Sequence, residues 1–278
     1  MISVVIVTFN SAGDIRACLE AVKAQRADSL EIIVVDNAST DATTEIVRAL
    51  CPQAVLIVNE QNKGAAFARN QAIALACGEW VLTLDSDVVL GEGFMESFRN
   101  AKDAWSDDVG MVQPNILSLD YRRVYSQGIR VSGIYRFFDV NRGRIFPCRR
   151  GAEREIVGPC SAAAFYRRKM LERLKEVTGY FDERFFFLVE DVDLACRAKR
   201  RGWKVVFMPG MVCGHGGDGS RTGRRYRRYL CWRNRHLMIA KHEGFWGRLG
   251  VYVLSAPYEI LRVADMYFGF TDLEKEKA

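Results

Sequence analysis

Two carboxylates separated by one residue are the feature of this sequence that most clearly predicts chemistry. Asp85-Ser86-Asp87 follows the apolar run at residues 80–84, which predicts a strand covered on both faces. In open α/β sheets, ligands bind beyond the carboxyl ends of the strands. Two like charges at such a place repel each other, and a divalent cation such as Mg²⁺ or Mn²⁺ removes that cost. The pair therefore predicts a metal site; a turn with solvated acids is the structural alternative.

A second group of acids lies further along the chain, at Glu190, Asp191 and Asp193. Acids at the start of a predicted helix complement its dipole, and Asp193 has the spacing for an ion pair with Arg197, so we interpret Asp193 as structural. Glu190 and Asp191 adjoin apolar residues that would raise the basicity of a carboxylate. Either of these two carboxylates could therefore act as a general base.

His215 is one of three histidines and is expected in a glycine-rich loop after a predicted strand at 204–208. A lone histidine is more often structural, but in such a loop its imidazole could point at a metal. Two further strand ends carry polar residues, Thr8 and Asn10 after the first strand and Asp36 after the second. Asp36 could accept a hydrogen bond from the imide of uracil or thymine or from a ribose hydroxyl, or it could hold a turn.

The segment Asn62-Lys63-Gly64 precedes a predicted helix that contains Arg69. Exposed N–H groups at the start of this helix, together with Lys63, could approach a phosphate or a sugar. No Walker or dinucleotide-binding pattern is present here. Arg69 could equally be a surface residue of the helix.

Strands and helices alternate in the first half of the sequence, which predicts an α/β fold with a mainly parallel central sheet and helices on both faces. The stretch from 116 to 156 instead favours hairpins. We expect a catalytic domain over residues 1–220 and a basic, amphipathic helical extension over 221–278. The predicted strands lie at 3–8, 31–35, 55–58, 80–84 and 109–113, and the predicted helices at 13–25, 41–50, 65–77 and 93–102.

Composition narrows the class of protein. The eight cysteines form no C-x-x-C pair and predict reduced core residues rather than a disulfide framework or zinc site. Met1 leads directly into the first predicted strand, so we expect no signal peptide, and no apolar run is long enough to cross a bilayer. Residues 219–242 hold seven arginines and one lysine without any acid, so the net charge of +6 is a local patch. Nucleic acid, a membrane surface and an anionic substrate are candidate partners of that patch.

Taken together, these motifs resemble the inverting family-two glycosyltransferases of the GT-A fold, in particular the rhamnosyl- and galactofuranosyltransferase-like members. The resemblance covers about residues 1–220 and departs from that subfamily at Lys63-Gly64-Ala65, where leucine, glycine and phenylalanine are common. It implies that a donor nucleotide-sugar, by preference a UDP- or dTDP-sugar, contacts Thr8, Asn10, Asp36, Asn62, Lys63, Arg69, Asp85 and Ser86. It also implies a divalent cation (Mn²⁺ or Mg²⁺) held by Asp85, Asp87 and His215. Asp191 is then the general base and Glu190 orients the acceptor or the base, and the exchange of these two roles stays open.

The resemblance implies hexosyl or deoxyhexosyl transfer to a glycan or lipid-linked acceptor in cell-wall or polysaccharide synthesis. Arg224, Arg225, Arg227 and Arg228 are then expected to face an acceptor diphosphate or an anionic membrane. We therefore expect a cytoplasmic protein, peripheral on the inner face of the plasma membrane, that binds no nucleic acid. The apolar segment at 245–270 could lie in the membrane interface, cover the catalytic domain or form a dimer contact.

Two other functions remain alternatives at this stage. A sugar-nucleotide nucleotidyltransferase would need a glycine-rich, basic signature after the first strand, and Asn10-Ser11-Ala12-Gly13 does not supply one. A nucleic-acid-binding protein would use the arginine patch at 221–235 and would give Asp85, Asp87, Asp191 and His215 no role.

Overall fold

The computed structural model describes residues 1–25, 30–148, 156–217 and 222–268. The strands of these residues are β1 (Ile2–Thr8), β2 (Leu30–Asp36), β3 (Val55–Val58), β4 (Trp80–Asp85), β5 (Val88–Leu90), β6 (Val109–Ser118), β7 (Val124–Ser126), β8 (Ile129–Val131), β9 (Phe137–Asp139), β10 (Ala163–Arg167) and β11 (Lys204–His215). The helices are α1 (Ile15–Lys23), α2 (Thr43–Leu50), α3 (Ala65–Leu75), α4 (Phe94–Lys102), α5 (Arg168–Leu174), α6 (Glu190–Arg200), α7 (Arg224–His242) and α8 (Phe245–Phe268).

Across the described ranges, nine strands form one mixed sheet in the order β3-β2-β1-β4-β10-β6-β11-β5, and β7 pairs with β6. Strands β3, β2, β1 and β4 are parallel, and so are β6 and β11. Strand β10 is antiparallel to both of its neighbours, β4 and β6. The sheet is thus mainly parallel, as the alternation of strands and helices predicts.

Strand β1 shows why the first strands read as continuous apolar runs. Val4 and Ile6 pack in a core with helices α1 and α2 on one face of the sheet, and Val5 packs in a second core with helix α3 on the other. All three side chains are fully buried. A strand buried on both faces needs apolar residues at every position, because neither face meets water.

The five strands and four helices predicted for the first half are all present. Strand β10, at the centre of the sheet, was missed. Its sequence, Ala-Ala-Phe-Tyr-Arg, has no β-branched residue and therefore gives little strand signal. Tertiary pairing imposes the strand here, since residues 163–167 pair with β4 and Phe165 and Tyr166 also pair with β6.

Strand register aligns the polar strand ends at one edge of the sheet. Thr8 pairs with Asp36, and Val7 pairs with Asp85. His215 is the last residue of β11, where it pairs with β5 and β6. The prediction that His215 lies in a loop was therefore wrong: the strand continues past the predicted end at 208, with an irregularity between 208 and 212.

The chain divides into two compact units, one of Met1–Arg130 with Phe138–Arg221 and one of Val131–Phe137 with Thr222–Ala278. The predicted domain boundary at 220/221, the position of Arg221 and the predicted helix end near 270 lie outside the described residues. Among the described helices, none is both long and apolar enough to cross a membrane. All eight cysteines are described, and each is a free thiol.

Candidate active site

Asp85, Asp87 and His215 come together at the carboxyl edge of the sheet. One ligand atom from each residue lies within 4.8 Å of the others. His215 Nε2 is 3.7 Å from Asp85 Oδ2 and 3.6 Å from Asp87 Oδ1, too far for hydrogen bonds. Burial opposes ionisation of Asp85, but Arg69 and His215 outweigh it and lower the pKa of this carboxyl, so it is ionised at neutral pH.

These three residues fit a divalent cation. His215 Nε2 is buried without a hydrogen-bond partner and faces two carboxylates, and a nitrogen with two oxygens is a donor set that suits Mn²⁺. The Gly217 N–H lies 2.7 Å from His215 Nδ1 and 3.0 Å from Asp87 Oδ2. A neutral imidazole that coordinates through Nε2 carries its proton on Nδ1. Metal binding through Nε2 therefore requires the Gly217 N–H to give up its hydrogen bond to His215 Nδ1 while it keeps the one to Asp87 Oδ2.

Tyr125, on β7, is a site residue that the sequence did not single out. Its ring stacks on the His215 imidazole with the ring centroids 4.0 Å apart. Arg142 lies over the same Tyr125 ring at 4.3 Å and pairs with Asp139 at 2.8 Å. The hairpin-rich stretch after β6 thus supplies residues that pack against His215, a candidate metal ligand, and its arginine and tyrosine content was the only signal.

We predict that Tyr125→Leu weakens Mn²⁺ binding by about 10–100-fold, the range found when the outer partner of a metal ligand is removed. Without the ring, His215 can rotate away from the two carboxylates. Tyr125→Phe keeps the stack and should bind Mn²⁺ as the wild type does. Calorimetric titration with Mn²⁺ measures both variants, and equal affinity for all three proteins would contradict a supporting role.

Arg69, on α3, links Asp85, one of the candidate metal ligands, to Glu190 of α6. Its guanidinium donates to Asp85 Oδ1 at 2.8 Å and to Glu190 Oε1 at 2.5 Å, and its side chain is only 2% exposed. Burial disfavours the charged guanidinium, but Asp85 and Glu190 outweigh it and raise the pKa of Arg69. In this structure Arg69 is an internal bridge between two carboxylates, and a donor contact through it stays a prediction.

Replacing Arg69 by methionine is expected to lower the free energy of unfolding by about 3–5 kcal/mol, because two carboxylates lose a buried partner. Urea unfolding followed by circular dichroism measures the change. Arg16→Met is the matched control, since Arg16 makes an exposed 3.7 Å pair with Glu20 and should cost about 0.3–0.5 kcal/mol. Adding Glu190→Gln to Arg69→Met should restore part of the loss, and additive effects would refute the coupling.

Glu190 and Asp191 occupy the first turn of α6 but differ in exposure. Glu190 is buried against Arg69, and burial raises its pKa to about 7. Asp191 is half-buried, and its carboxylate accepts the backbone N–H groups of Ser161 (3.0 Å) and Val192 (2.8 Å). Burial raises the pKa of Asp191 as well. Asp191 is thus the more accessible of the two and has its carboxylate fixed in orientation.

The segment before α6 has an unusual backbone. Phe186, Leu188 and Val189 all have positive φ, at 65°, 68° and 76°. The Phe186 carbonyl accepts the Ala66 N–H at 3.2 Å, and a Cβ on Gly64 would lie 2.4 Å from that oxygen. Glycine at 64 is therefore required for the close approach that ties the start of α3 to this segment.

The residues predicted to contact a donor nucleotide line the ends of β1 and β2. Thr8 Oγ1 is buried without a partner. Asn10 Oδ1 accepts the Thr40 N–H at 2.8 Å, which ties the two strand ends together. Asp36 is fully buried and accepts the N–H and hydroxyl of Ser39 at 2.8 and 2.5 Å. Asp36 therefore holds a turn here, and a contact with the donor stays a prediction.

Three further residues are predicted to contact the donor nucleotide-sugar: Asn62, Lys63 and Ser86. Asn62 is exposed, and its Oδ1 accepts the Gly64 N–H at 2.9 Å. Lys63 is exposed, with its ammonium over the Phe67 ring at 4.7 Å. Ser86 is buried and hydrogen-bonds to Ser11 Oγ at 2.8 Å, so its hydroxyl supports the turn between Asp85 and Asp87.

The four arginines predicted to face an anionic partner begin α7, in the second compact unit. Arg224 and Arg225 are exposed, whereas Arg227 and Arg228 are half-buried. Arg228 lies 3.5 Å from Asp265 of α8. The predicted cluster is thus an exposed pair followed by two arginines that are partly packed in their own unit.

The sheet order and the acidic strand end define a Rossmann-like α/β protein of the GT-A type. A model of one protein family, described as glycosyl transferase family 2, matches residues 3–175. This match spans more than half of the sequence, so the chain belongs to glycosyl transferase family 2.

Two curated relatives illustrate the range of similarity. The succinoglycan biosynthesis protein ExoO of Rhizobium meliloti is 33% identical over 45% of this chain and 37% of its own length. An N-acetylglucosaminyl-diphospho-decaprenol L-rhamnosyltransferase of Mycobacterium tuberculosis is 24% identical over 88% of this chain and 86% of its own. A third relative, glycosyltransferase GlyG of Streptococcus pneumoniae, is matched over 33% of its length, so this chain spans only about a third of ExoO and of GlyG.

Three solved structures, of two proteins, share the fold. The mannosyltransferase PcManGT from Pyrobaculum calidifontis, in complex with GDP-Man and Mn²⁺, is 22% identical with a TM-score of 0.61, over 95% of this chain and 73% of that one. The S. aureus protein TarS has the same TM-score at 20% identity, over 90% of this chain and 42% of that one. TarS 1–349 in complex with UDP-GlcNAc has a TM-score of 0.56. At these identities the likeness establishes the fold alone.

Proposed function

We propose that this chain is a metal-dependent, inverting glycosyltransferase that moves a sugar from a nucleotide-diphosphate donor to a hydroxyl group of an acceptor. The observation that carries the proposal is the group of Asp85, Asp87 and His215, joined through Arg69 to the acids of α6. Family membership favours this function over nucleotidyl transfer or nucleic-acid binding.

The mechanism follows from the placement of the acids. Asp191 takes the proton of the acceptor hydroxyl while that oxygen bonds to the anomeric carbon and the bond from this carbon to the diphosphate oxygen breaks. Attack opposite the leaving group inverts the anomeric configuration in one displacement, without a covalent enzyme intermediate. Glu190, held by Arg69, orients the start of α6. A divalent cation held by Asp85, Asp87 and His215 would supply positive charge to the departing diphosphate.

We assign the donor to the UDP- or dTDP-hexoses and deoxyhexoses. Support comes from relatives named for rhamnosyl transfer and from TarS structures with UDP-GlcNAc or UDP, whereas PcManGT, with GDP-Man, keeps GDP-sugars among the donors to be tested. The polar ends of β1 and β2, with Thr8 Oγ1 unpartnered, are the proposed nucleotide site. Lys63, exposed before α3, is the proposed contact to a phosphate or sugar.

We assign the acceptor to glycans or lipid-linked intermediates of cell-surface polysaccharide synthesis. The names of the succinoglycan and decaprenol relatives support this assignment. The arginine-rich start of α7, with Arg224 and Arg225 exposed, supports peripheral contact with an anionic membrane on which such an acceptor would be presented.

A donor screen tests the proposed function. Thermal shift and nucleotide-sugar hydrolysis should be measured with UDP-, dTDP- and GDP-sugars, each with Mn²⁺, with Mg²⁺ and with excess chelator. One nucleotide class should stabilise the protein and be hydrolysed only with metal. The absence of any metal-dependent donor effect would overturn the proposal.

A further inference from the structure

The exposed face of helix α8 is apolar, and the face that contacts α7 is polar. Among its described side chains, the large apolar residues Trp246, Leu249, Val253, Leu254, Ile260 and Leu261 are each between 48% and 78% exposed. At 100° per residue they cover an arc of roughly 140° and a length of about 22 Å. This set, the α8 stripe, contains no charged residue. Surface helices of soluble proteins show the opposite arrangement.

The polar residues of α8 are turned towards α7 within the same unit. Glu259 accepts hydrogen bonds from Arg235 and from Trp232 Nε1, the latter at 3.1 Å. Ser255 accepts from Arg235 at 2.9 Å. Asp265 lies 3.5 Å from Arg228. The ion pairs and hydrogen bonds of the helix are satisfied on this inner face, whereas the α8 stripe is exposed, with Trp246 in contact with the equally exposed ring of Phe245.

The charge of residues 222–268 indicates which kind of partner covers the α8 stripe. Residues 222–268 hold nine cationic and three acidic residues, a formal net charge of +6. The third acid, Glu243, accepts the Tyr135 hydroxyl at 2.5 Å, so all three acids are engaged inside the unit while Arg224 and Arg225 are exposed. A second copy of the chain would bring two such positive surfaces together at a cost. An anionic bilayer offers a negative surface for the arginines and hydrocarbon for the stripe.

We propose that α8 lies in the plane of an anionic lipid bilayer, with the α8 stripe buried at the boundary of headgroups and acyl chains. This proposal deepens the membrane contact of the proposed function and rests on it only for the identity of the acceptor. The arginines draw the chain to the surface, and the stripe holds it there. An apolar face and a basic patch together give stable attachment where either alone is marginal.

The test uses the full chain and vesicles of phosphatidylcholine with and without phosphatidylglycerol. Ile260→Asp should weaken co-sedimentation with the anionic vesicles at least about tenfold, because a charged side chain replaces an aliphatic one that is proposed to be buried in the bilayer. Ile145→Asp is the matched control, since Ile145 is 70% exposed in the other unit and Ile260 is 69% exposed. Leu254→Ser is a milder second variant if Ile260→Asp does not fold. Circular dichroism checks the fold of each variant.

Trp246 supplies a direct readout of insertion. Brominated lipids should quench the fluorescence of the wild type, and Trp246→Phe should lose that quenching. Wild-type vesicle binding by Ile260→Asp, or no quenching by brominated lipid, would overturn the proposal. A dimer dissolved by Ile260→Asp, without vesicle binding, would identify a second copy as the occupant instead. Ile260→Asp should leave nucleotide-sugar hydrolysis in the absence of vesicles unchanged. A wild type that binds vesicles but hydrolyses no nucleotide-sugar would contradict the proposed catalytic function and not the membrane contact of α8.

Discussion

Asp191→Asn is expected to lower the turnover number by about 10²–10⁴-fold, the usual loss when a general base is removed. Asparagine has nearly the same shape and can keep one of the two hydrogen bonds, which Ser161 and Val192 donate to different oxygens of Asp191, but it cannot remove the proton of the acceptor. Donor affinity should stay unchanged, because the substituted group acts on the acceptor. Steady-state kinetics and donor titration measure the two quantities separately.

The pH profile supplies the control for this variant. Burial raises the pKa of Asp191, so the base becomes protonated at a higher pH than an ordinary aspartate, whose pKa is about 3.9. Turnover should therefore fall as the pH drops through that raised value, and the Asn variant should lack this acid limb. Near-normal turnover in Asp191→Asn together with a large loss in Glu190→Gln would exchange the two roles.

Asp87→Ala is expected to abolish transfer and the metal-dependent part of donor binding. Its side chain is buried opposite His215 Nε2, and its loss leaves one carboxylate and one imidazole, which hold a dication weakly. His215→Ala should weaken metal binding less, because water can replace a neutral ligand. Calorimetric titration with Mn²⁺ orders the wild type and the two variants.

Excess chelator is the decisive control for the metal assignment. Wild-type enzyme in chelator should behave as Asp87→Ala does. Full activity of Asp87→Ala, or of the wild type in chelator, would remove metal from the proposed mechanism. The control variant Asp103→Ala changes an exposed acid at the end of α4 and should leave Mn²⁺ affinity untouched.

The first half of the fold could be predicted from the sequence because β1, β2 and β4 are largely buried apolar runs and α1, α2 and α4 each have one apolar side, whereas β3, at the edge of the sheet, is only partly buried. It failed at β10, whose strand conformation comes from pairing between β4 and β6 rather than from its own alanines. It also ended β11 too early. Long-range pairing of this kind leaves no local pattern to read.

Some residues of the candidate site could likewise be predicted from the sequence, and others could not. Acids at the ends of strands and the starts of helices can be recognised from residue type and position, so Asp85, Asp87 and Asp191 could be predicted as candidate site residues. The bridge through Arg69 could not, because a buried arginine on a helix looks like a surface one until its partners are known. Tyr125 was missed since an aromatic ring in a hairpin is usually packing, and only the fold places it on His215.

The positive φ values before α6 carry a cost that the enzyme retains. A non-glycine residue in the left-handed region costs about 1–3 kcal/mol, and Leu188 and Val189 directly precede Glu190 and Asp191. Val189→Gly should therefore be more stable, because glycine adopts this φ without strain, and a poorer catalyst, because a freer backbone holds Glu190 and Asp191 less firmly in one orientation. Stability and activity are opposed at this turn, so selection for heat resistance alone would remove the feature that positions the base.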